Sequence, residues 1–93
     1  MQRSRVHLLI SGRVQGVFYR AFTRNIAGSF GLSGWVRNLP DGNVEALIEG
    51  DKDDIEQAIQ RFRSGPPGAH VDDIEITWED YQGDIQGFQI RYY

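Results

Sequence analysis

Arg20 closes a run whose residue types suit the capture of an anion: Gly12-Arg13-Val14-Gln15-Gly16-Val17-Phe18-Tyr19-Arg20. The run lies between a stretch patterned like a strand and a stretch patterned like a helix. A glycine-bearing turn at such a junction leaves backbone N–H groups without partners, and the first turn of the helix behind it leaves more. Arg20 adds a permanent cation whose planar fork matches phosphate or carboxylate geometry. The chemistry expected of the run is the holding of a phosphoryl group. Taken alone, it reads equally well as an ordinary strand-to-helix turn with a surface arginine. Asn38 is the second candidate, at a strand end in Asn38-Leu39-Pro40-Asp41-Gly42. Asn is favoured in turns for its own local hydrogen bonds, so by itself it too has a structural explanation.

The elements that must position these residues are legible from periodicity. Val6 to Ile10 is apolar and β-branched, stops at Ser11-Gly12, and reads as a central strand. Phe18, Phe22, Ile26 and Phe30 recur every four residues with Ala21 and Ala27 beside them, which predicts one face of a helix. Gly28 weakens its last turn, and Gly31 is placed to end it in a left-handed conformation. Leu32 to Arg37 and Asn43 to Glu49 read as two strands of a hairpin around the Pro-Asp-Gly turn. Asp51 opens a second helix with Asp53, Asp54 and Glu56 at its positive end and Ile55, Ala58, Ile59 and Phe62 as its buried stripe. Gly65-Pro66-Pro67-Gly68 stops it. Val71, Ile74, Ile76 and Trp78 belong to a long fourth strand, Tyr81 to Gly87 to a turn-rich link, and Phe88, Ile90 and Tyr92 to a short final strand. The order is β-α-β-β-α-β plus one C-terminal strand, in a single domain over residues 1–93. The economical α+β solution is a ferredoxin-like α/β sandwich, with two helices on one face of an antiparallel sheet. Trp35, Trp78, Phe22 and Phe30 are expected in its core.

Composition narrows the function classes. The 93 residues include no cysteine, which removes disulfides, thiol nucleophiles and thiolate metal sites and suits a reducing cytoplasm. The net charge of −3 weighs against a protein held to nucleic acid through its phosphates. An RNA-binding domain of the same strand order would want basic and aromatic residues on its third strand, and Asn43 to Glu49 is acidic without an aromatic. No run approaches the length of a membrane span, and the apolar stretch near the start is too short for a signal peptide. His7 and His70 lack metal-like partners at useful spacing, and the acidic set from Asp51 to Glu56 is explained by helix capping. No metal and no cofactor are expected. Arg13 is expected to face solvent, and nothing suggests more than a monomer.

With the loop and the hairpin both in view, the chain resembles the acylphosphatase family. The first block, Ile10-Ser11-Gly12-Arg13-Val14-Gln15-Gly16-Val17-Phe18-Tyr19-Arg20, is similar to the family's Gly-x-Val-Gln-Gly-Val-x-x-Arg segment. The second is Gly34-Trp35-Val36-Arg37-Asn38, followed by Gly42-x-Val44 and Gly50. The resemblance spans nearly the whole chain, through Gly87-Phe88-Gln89-Ile90-Arg91-Tyr92. It implies hydrolysis of a small acyl phosphate to a carboxylate and inorganic phosphate. It implies that Arg20 binds the phosphoryl group, that the backbone of Gln15, Gly16, Val17, Phe18 and Tyr19 cradles its oxygens, and that Asn38 orients the attacking water. One departure is Tyr19, where the family more often has Phe; its hydroxyl needs a partner and is expected at the pocket rim. The alternative within this resemblance is a module that binds an acyl or carbamoyl phosphate without turning it over.

Overall fold

The first strand is longer than its apolar run. In the computed structural model, which describes residues 2–92, β1 covers Arg3–Arg13. It extends beyond Val6–Ile10 because both its edges are paired, antiparallel to β3 (Val44–Asp51) on one side and to β4 (His70–Glu79) on the other. Ladder hydrogen bonds hold the polar ends as well as the apolar middle. The register with β4 shifts between Ser11 and Gly12. At Gly12 (φ 122) a Cβ would lie 2.1 Å from the His70 carbonyl oxygen, so only glycine fits that approach. Gly12 and Arg13 therefore belong to the strand, and the loop proper starts at Val14.

The sheet runs β4-β1-β3-β2-β5, with β2 at Ser33–Asn38 and β5 at Phe88–Arg91. Val6, Leu8, Ile10, Val36, Val44, Ala46 and Ile48 share one face of it and are buried with residues of α1 (Tyr19–Ser29) and α2 (Lys52–Ser64). From α2 come Ile55, Ala58, Ile59 and Phe62, the expected stripe. Burying each of the larger of these contributes about 1.5–3 kcal/mol. Asp51 caps α2, its carboxylate accepting from the Asp53 N–H at 2.9 Å. The ferredoxin-like sandwich is as expected, with one difference in the sheet.

The sheet is mixed rather than antiparallel, because β5 pairs parallel to β2. The reason lies in the link before it. β4 ends at Glu79, beside Arg5 of β1, and β1 runs in the same direction as β2. Residues 80–87 cross the sheet at this one end. The buried Glu49 carboxylate accepts the Gln82 N–H at 2.8 Å and the Gly83 N–H at 3.2 Å, and the Gly34 N–H donates to the Gly87 carbonyl at 2.9 Å. The chain thus enters β5 where β2 begins, and only a parallel pairing remains.

Three side-chain expectations need correction. The buried face of α1 is Tyr19, Thr23 and Ala27, one position on from the pattern of phenylalanines. Phe22, Ile26 and Phe30 pack partly buried against the core, whereas Phe18 precedes the helix and is 86% exposed. Trp35 is half-buried on the opposite face of the sheet, since its neighbours Gly34 and Val36 are the ones that point into the core. Gly34 is buried so closely that a Cβ would sit 1.9 Å from the Leu47 carbonyl oxygen. Trp78 stands on edge strand β4 with 40% of its surface exposed and the Lys52 ammonium 5.1 Å from its ring centre.

Tyr19 is a core residue, not part of a rim. It is 1% exposed, and its hydroxyl donates to the Phe62 carbonyl at 2.7 Å. That carbonyl lies in the last turn of α2, where backbone acceptors lack helical partners. Burial pushes the Tyr19 phenol well above its ordinary range. Tyr19→Phe should therefore fold identically but lose about 1 kcal/mol of stability, read as a lower urea midpoint at unchanged slope.

Candidate active site

Between β1 and α1 the chain makes a tight crook. Val14 is buried and anchors its start. Gly16 (φ 73) and Phe18 (φ 60) both take left-handed backbone conformations. Left-handed residues inside a turn curl successive N–H groups into a concavity that suits an anion. Among the described residues, no acceptor meets the amides of Gly16, Val17, Phe18, Tyr19 or Arg20. Phe18 has no side-chain oxygen with which to cap the helix it precedes. Its left-handed backbone costs a residue with a Cβ about 1–2 kcal/mol. The crook is thus strained and rich in unmet donors, and sits at the positive end of α1.

Arg20 rises from the first turn of α1 into a cleft of about 290 Å³. The same cleft is lined by Asn38, at the end of β2, and by Gly16, Phe18, Tyr19 and Ala21. Val14, Ile90 of β5 and Tyr92, just beyond the end of that strand, complete it. The structure therefore brings Arg20 and Asn38 to one place from two separate elements. The Arg20 guanidinium lies 4.8 Å from the centre of the Tyr92 ring. Among the described residues no carboxylate stands within ion-pairing distance of it. Asn38 Oδ1 is buried and, among the described residues, has no hydrogen-bond partner. A buried acceptor left in that state is unfavourable until a donor arrives. Val17, by contrast, packs against the core, and the Gln15 side chain turns away from the cleft.

What Gln15 does was not legible in advance. Its Nε2 donates to the Leu39 carbonyl and to the Asn43 carbonyl, both at 2.8 Å. Leu39 and Asn43 are themselves joined across the hairpin turn, N–H to carbonyl, at 2.8 Å. One side chain thus ties the crook to the turn that follows Asn38. The partners are backbone carbonyls, which every residue has, so no residue type in the turn announces the contact. The roles of Ile90 and Tyr92 in the cleft were equally hidden, because they follow from the parallel pairing of β5.

The open face of the sheet carries a separate polar cluster. Glu45 accepts from Arg37 Nε at 2.6 Å and lies 2.7 Å from His7 Nε2. Burial pushes the Glu45 carboxyl up, but the hydrogen bonds and charges of His7 and Arg37 outweigh it and hold the carboxyl below its usual range. The Arg91 guanidinium lies 4.6 Å from the centre of the Trp35 ring. His70 is exposed and stands 3.1 Å from Asp72. Arg13 is exposed, as expected. Among the described residues no group of three His, Asp or Glu side chains is placed to hold a metal ion, and no helix is long and apolar enough to cross a membrane.

Known proteins resemble this chain in sequence and in fold. A family model for acylphosphatase matches residues 6–90. An acylphosphatase from Pelotomaculum thermopropionicum is 42% identical over 92 residues, covering 99% of this chain and 100% of that one. Another, from Pyrobaculum arsenaticum, is 48% identical over 91 residues, covering 97% of this chain and 96% of that one. The crystal structure of an acylphosphatase from Bacillus subtilis superposes with a TM-score of 0.93 at 34% identity, covering 96% of this chain and 99% of that one.

The tie between crook and hairpin is open to an isosteric test. Gln15→Glu replaces a donor facing two carbonyls by an anionic acceptor of the same shape. It should lower stability by roughly 2 kcal/mol at neutral pH and weaken phosphate binding, with partial recovery as the new carboxyl is protonated. Denaturation and phosphate titration at two pH values read both effects.

Proposed function

The chain belongs to the acylphosphatase family, enzymes that hydrolyse acyl phosphates, and we propose that Arg20 and the crook from Gln15 to Tyr19 hold the phosphoryl group while Asn38 holds the water that attacks it. The observation that supports this reading is the meeting, in one cleft, of an arginine that has no acid beside it and a buried amide oxygen that has no donor, both among the described residues. A dianionic phosphoryl group supplies what the first lacks. A water supplies what the second lacks.

The mechanism follows from the chemistry of the anhydride. The water oxygen attacks phosphorus in line, the bond from phosphorus to the acyl oxygen breaks, and its electron pair leaves with the carboxylate. The proton lost by the water passes to a phosphoryl oxygen of the substrate. A carboxylate is a good leaving group, so no strong general acid is required, and none needs to stand in the cleft. What remains for the protein is positioning and charge. Arg20 and the amides of the crook meet charge on the equatorial oxygens. The Tyr92 ring beneath Arg20 limits the wandering of its side chain. The amide of Asn38 accepts a hydrogen from the water and aims its lone pair. On this reading the enzyme is a metal-free monomer of the cytoplasm, acting on a small diffusible substrate and releasing inorganic phosphate. The lack of cysteine and the undemanding leaving group favour it.

Benzoyl phosphate hydrolysis in the presence of EDTA tests the assignment. Asn38→Ala should lower kcat by about 10²–10³ while inorganic phosphate still inhibits as in the parent. Arg20→Lys should lower kcat/KM by about 10³ and abolish phosphate inhibition, because a point charge does not replace the guanidinium fork. Parent-like turnover in Asn38→Ala would remove the water-holding role.

A further inference from the structure

An acyl phosphate has two ends, and the assignment above provides for only one. The remaining wall of the cleft is built from Val14, Phe18, Ala21, Ile90 and Tyr92. None of these side chains carries a charge, and only the Tyr92 hydroxyl is polar. Phe18 is 86% exposed and Tyr92 78% exposed. The other two large exposed apolar side chains, Trp78 and Tyr81, each have a cation over the ring, Lys52 and Arg3. Tyr92 has Arg20. Among the described residues Phe18 has neither a cation nor a second ring against it.

A phenyl ring held in water contributes little to folding, and this one also sits on a left-handed backbone that disfavours it. Glycine would meet the backbone requirement without strain. The ring is therefore explained by something it touches outside the fold. It lines the same cleft as Arg20 and Asn38, so the rest of a substrate held there by its phosphoryl group is within its reach.

We propose that Phe18, Ile90 and Tyr92 form the acyl-binding wall of the cleft, and that the chain prefers acyl phosphates carrying an aromatic or extended apolar acyl group over small or polar ones. The proposal rests on the assignment of Arg20 and the crook to the phosphoryl end. With that end fixed, the acyl group projects from the cleft past the two exposed rings. An aromatic acyl group buries apolar surface there and stacks on Phe18. An acetyl group has only one methyl to bury there. A carbamoyl group would bring an amide against a wall whose one polar side-chain group is the Tyr92 hydroxyl, which leaves the amide poorly matched.

The test compares KM for benzoyl phosphate and acetyl phosphate in the parent and in Phe18→Gly. KM is the quantity to read because the basicity of the leaving carboxylate enters it least. In the parent, KM for benzoyl phosphate should lie about tenfold below that for acetyl phosphate. In Phe18→Gly the ratio should shrink about fivefold, mainly through a higher KM for benzoyl phosphate. Equal KM values in the parent, or an unchanged ratio in the variant, would overturn the proposal. If Phe18→Gly does not fold, the parent ratio decides. Competitive inhibition of the parent by inorganic phosphate, measured alongside, reports the phosphoryl end separately: its absence would sink that assignment, whereas its presence with equal KM values sinks only the acyl wall.

Discussion

Gln15 donates twice from one nitrogen, to the carbonyls of Leu39 and Asn43, and the layout of the cleft depends on that pair of bonds. The crook and the β2–β3 hairpin are far apart in sequence and meet nowhere in the sheet's ladder. β3 lies between β1 and β2, so pairing alone leaves a strand's width between the end of β1 and the end of β2. The Gln15 side chain spans that width. It sets the turn after Asn38 against the loop before Arg20, which is what places a carboxamide and a guanidinium on one cleft. A shorter side chain would not reach, and an anionic one would face two oxygens of like sign.

The sheet was largely legible in the sequence because strands announce themselves by alternation. Val44, Ala46 and Ile48 face the core as their spacing predicts. The failures are specific. Trp35 is the bulkiest residue of β2 and lies on the open face, because its small neighbour Gly34 must pass close to Leu47 and so takes the inward position. Phe18 fits a helical repeat that it does not join, since a residue in the left-handed region cannot begin a helix. The repeat of Tyr19, Thr23 and Ala27 was present too, but threonine hid it; its hydroxyl is satisfied by the Tyr19 carbonyl at 2.9 Å, one turn back. The direction of β5 was beyond reach for a different reason. It follows from Glu49 gripping the amides of Gln82 and Gly83, a contact between a strand and a link with no pattern of its own.

The site divides along the same line. Residue types pointed to Arg20 and the resemblance added Asn38, and the structure lines one cleft with both. The amides of the crook were foreseeable as a class, because any such turn leaves them unmet. The apolar wall was not, because Ile90 and Tyr92 reach the cleft only through the topology of the last strand. Buried Tyr19 shows the opposite hazard: a polar tip in a motif suggested a rim, while its hydroxyl in fact completes the end of α2.

Strand β1 occupies the interior of the sheet, and it is made before any of its neighbours. Val6 lies between Ile48 and Trp78, so it finds neither partner until most of the chain exists. A helix such as α2 forms within about a microsecond, whereas sheets built from contacts of long sequence range form more slowly. The crook joins β1 directly to α1, and the Gln15 bonds that hold it reach to the β2–β3 hairpin. The shape of the crook is therefore completed only when these long-range contacts close, and not when the helices form.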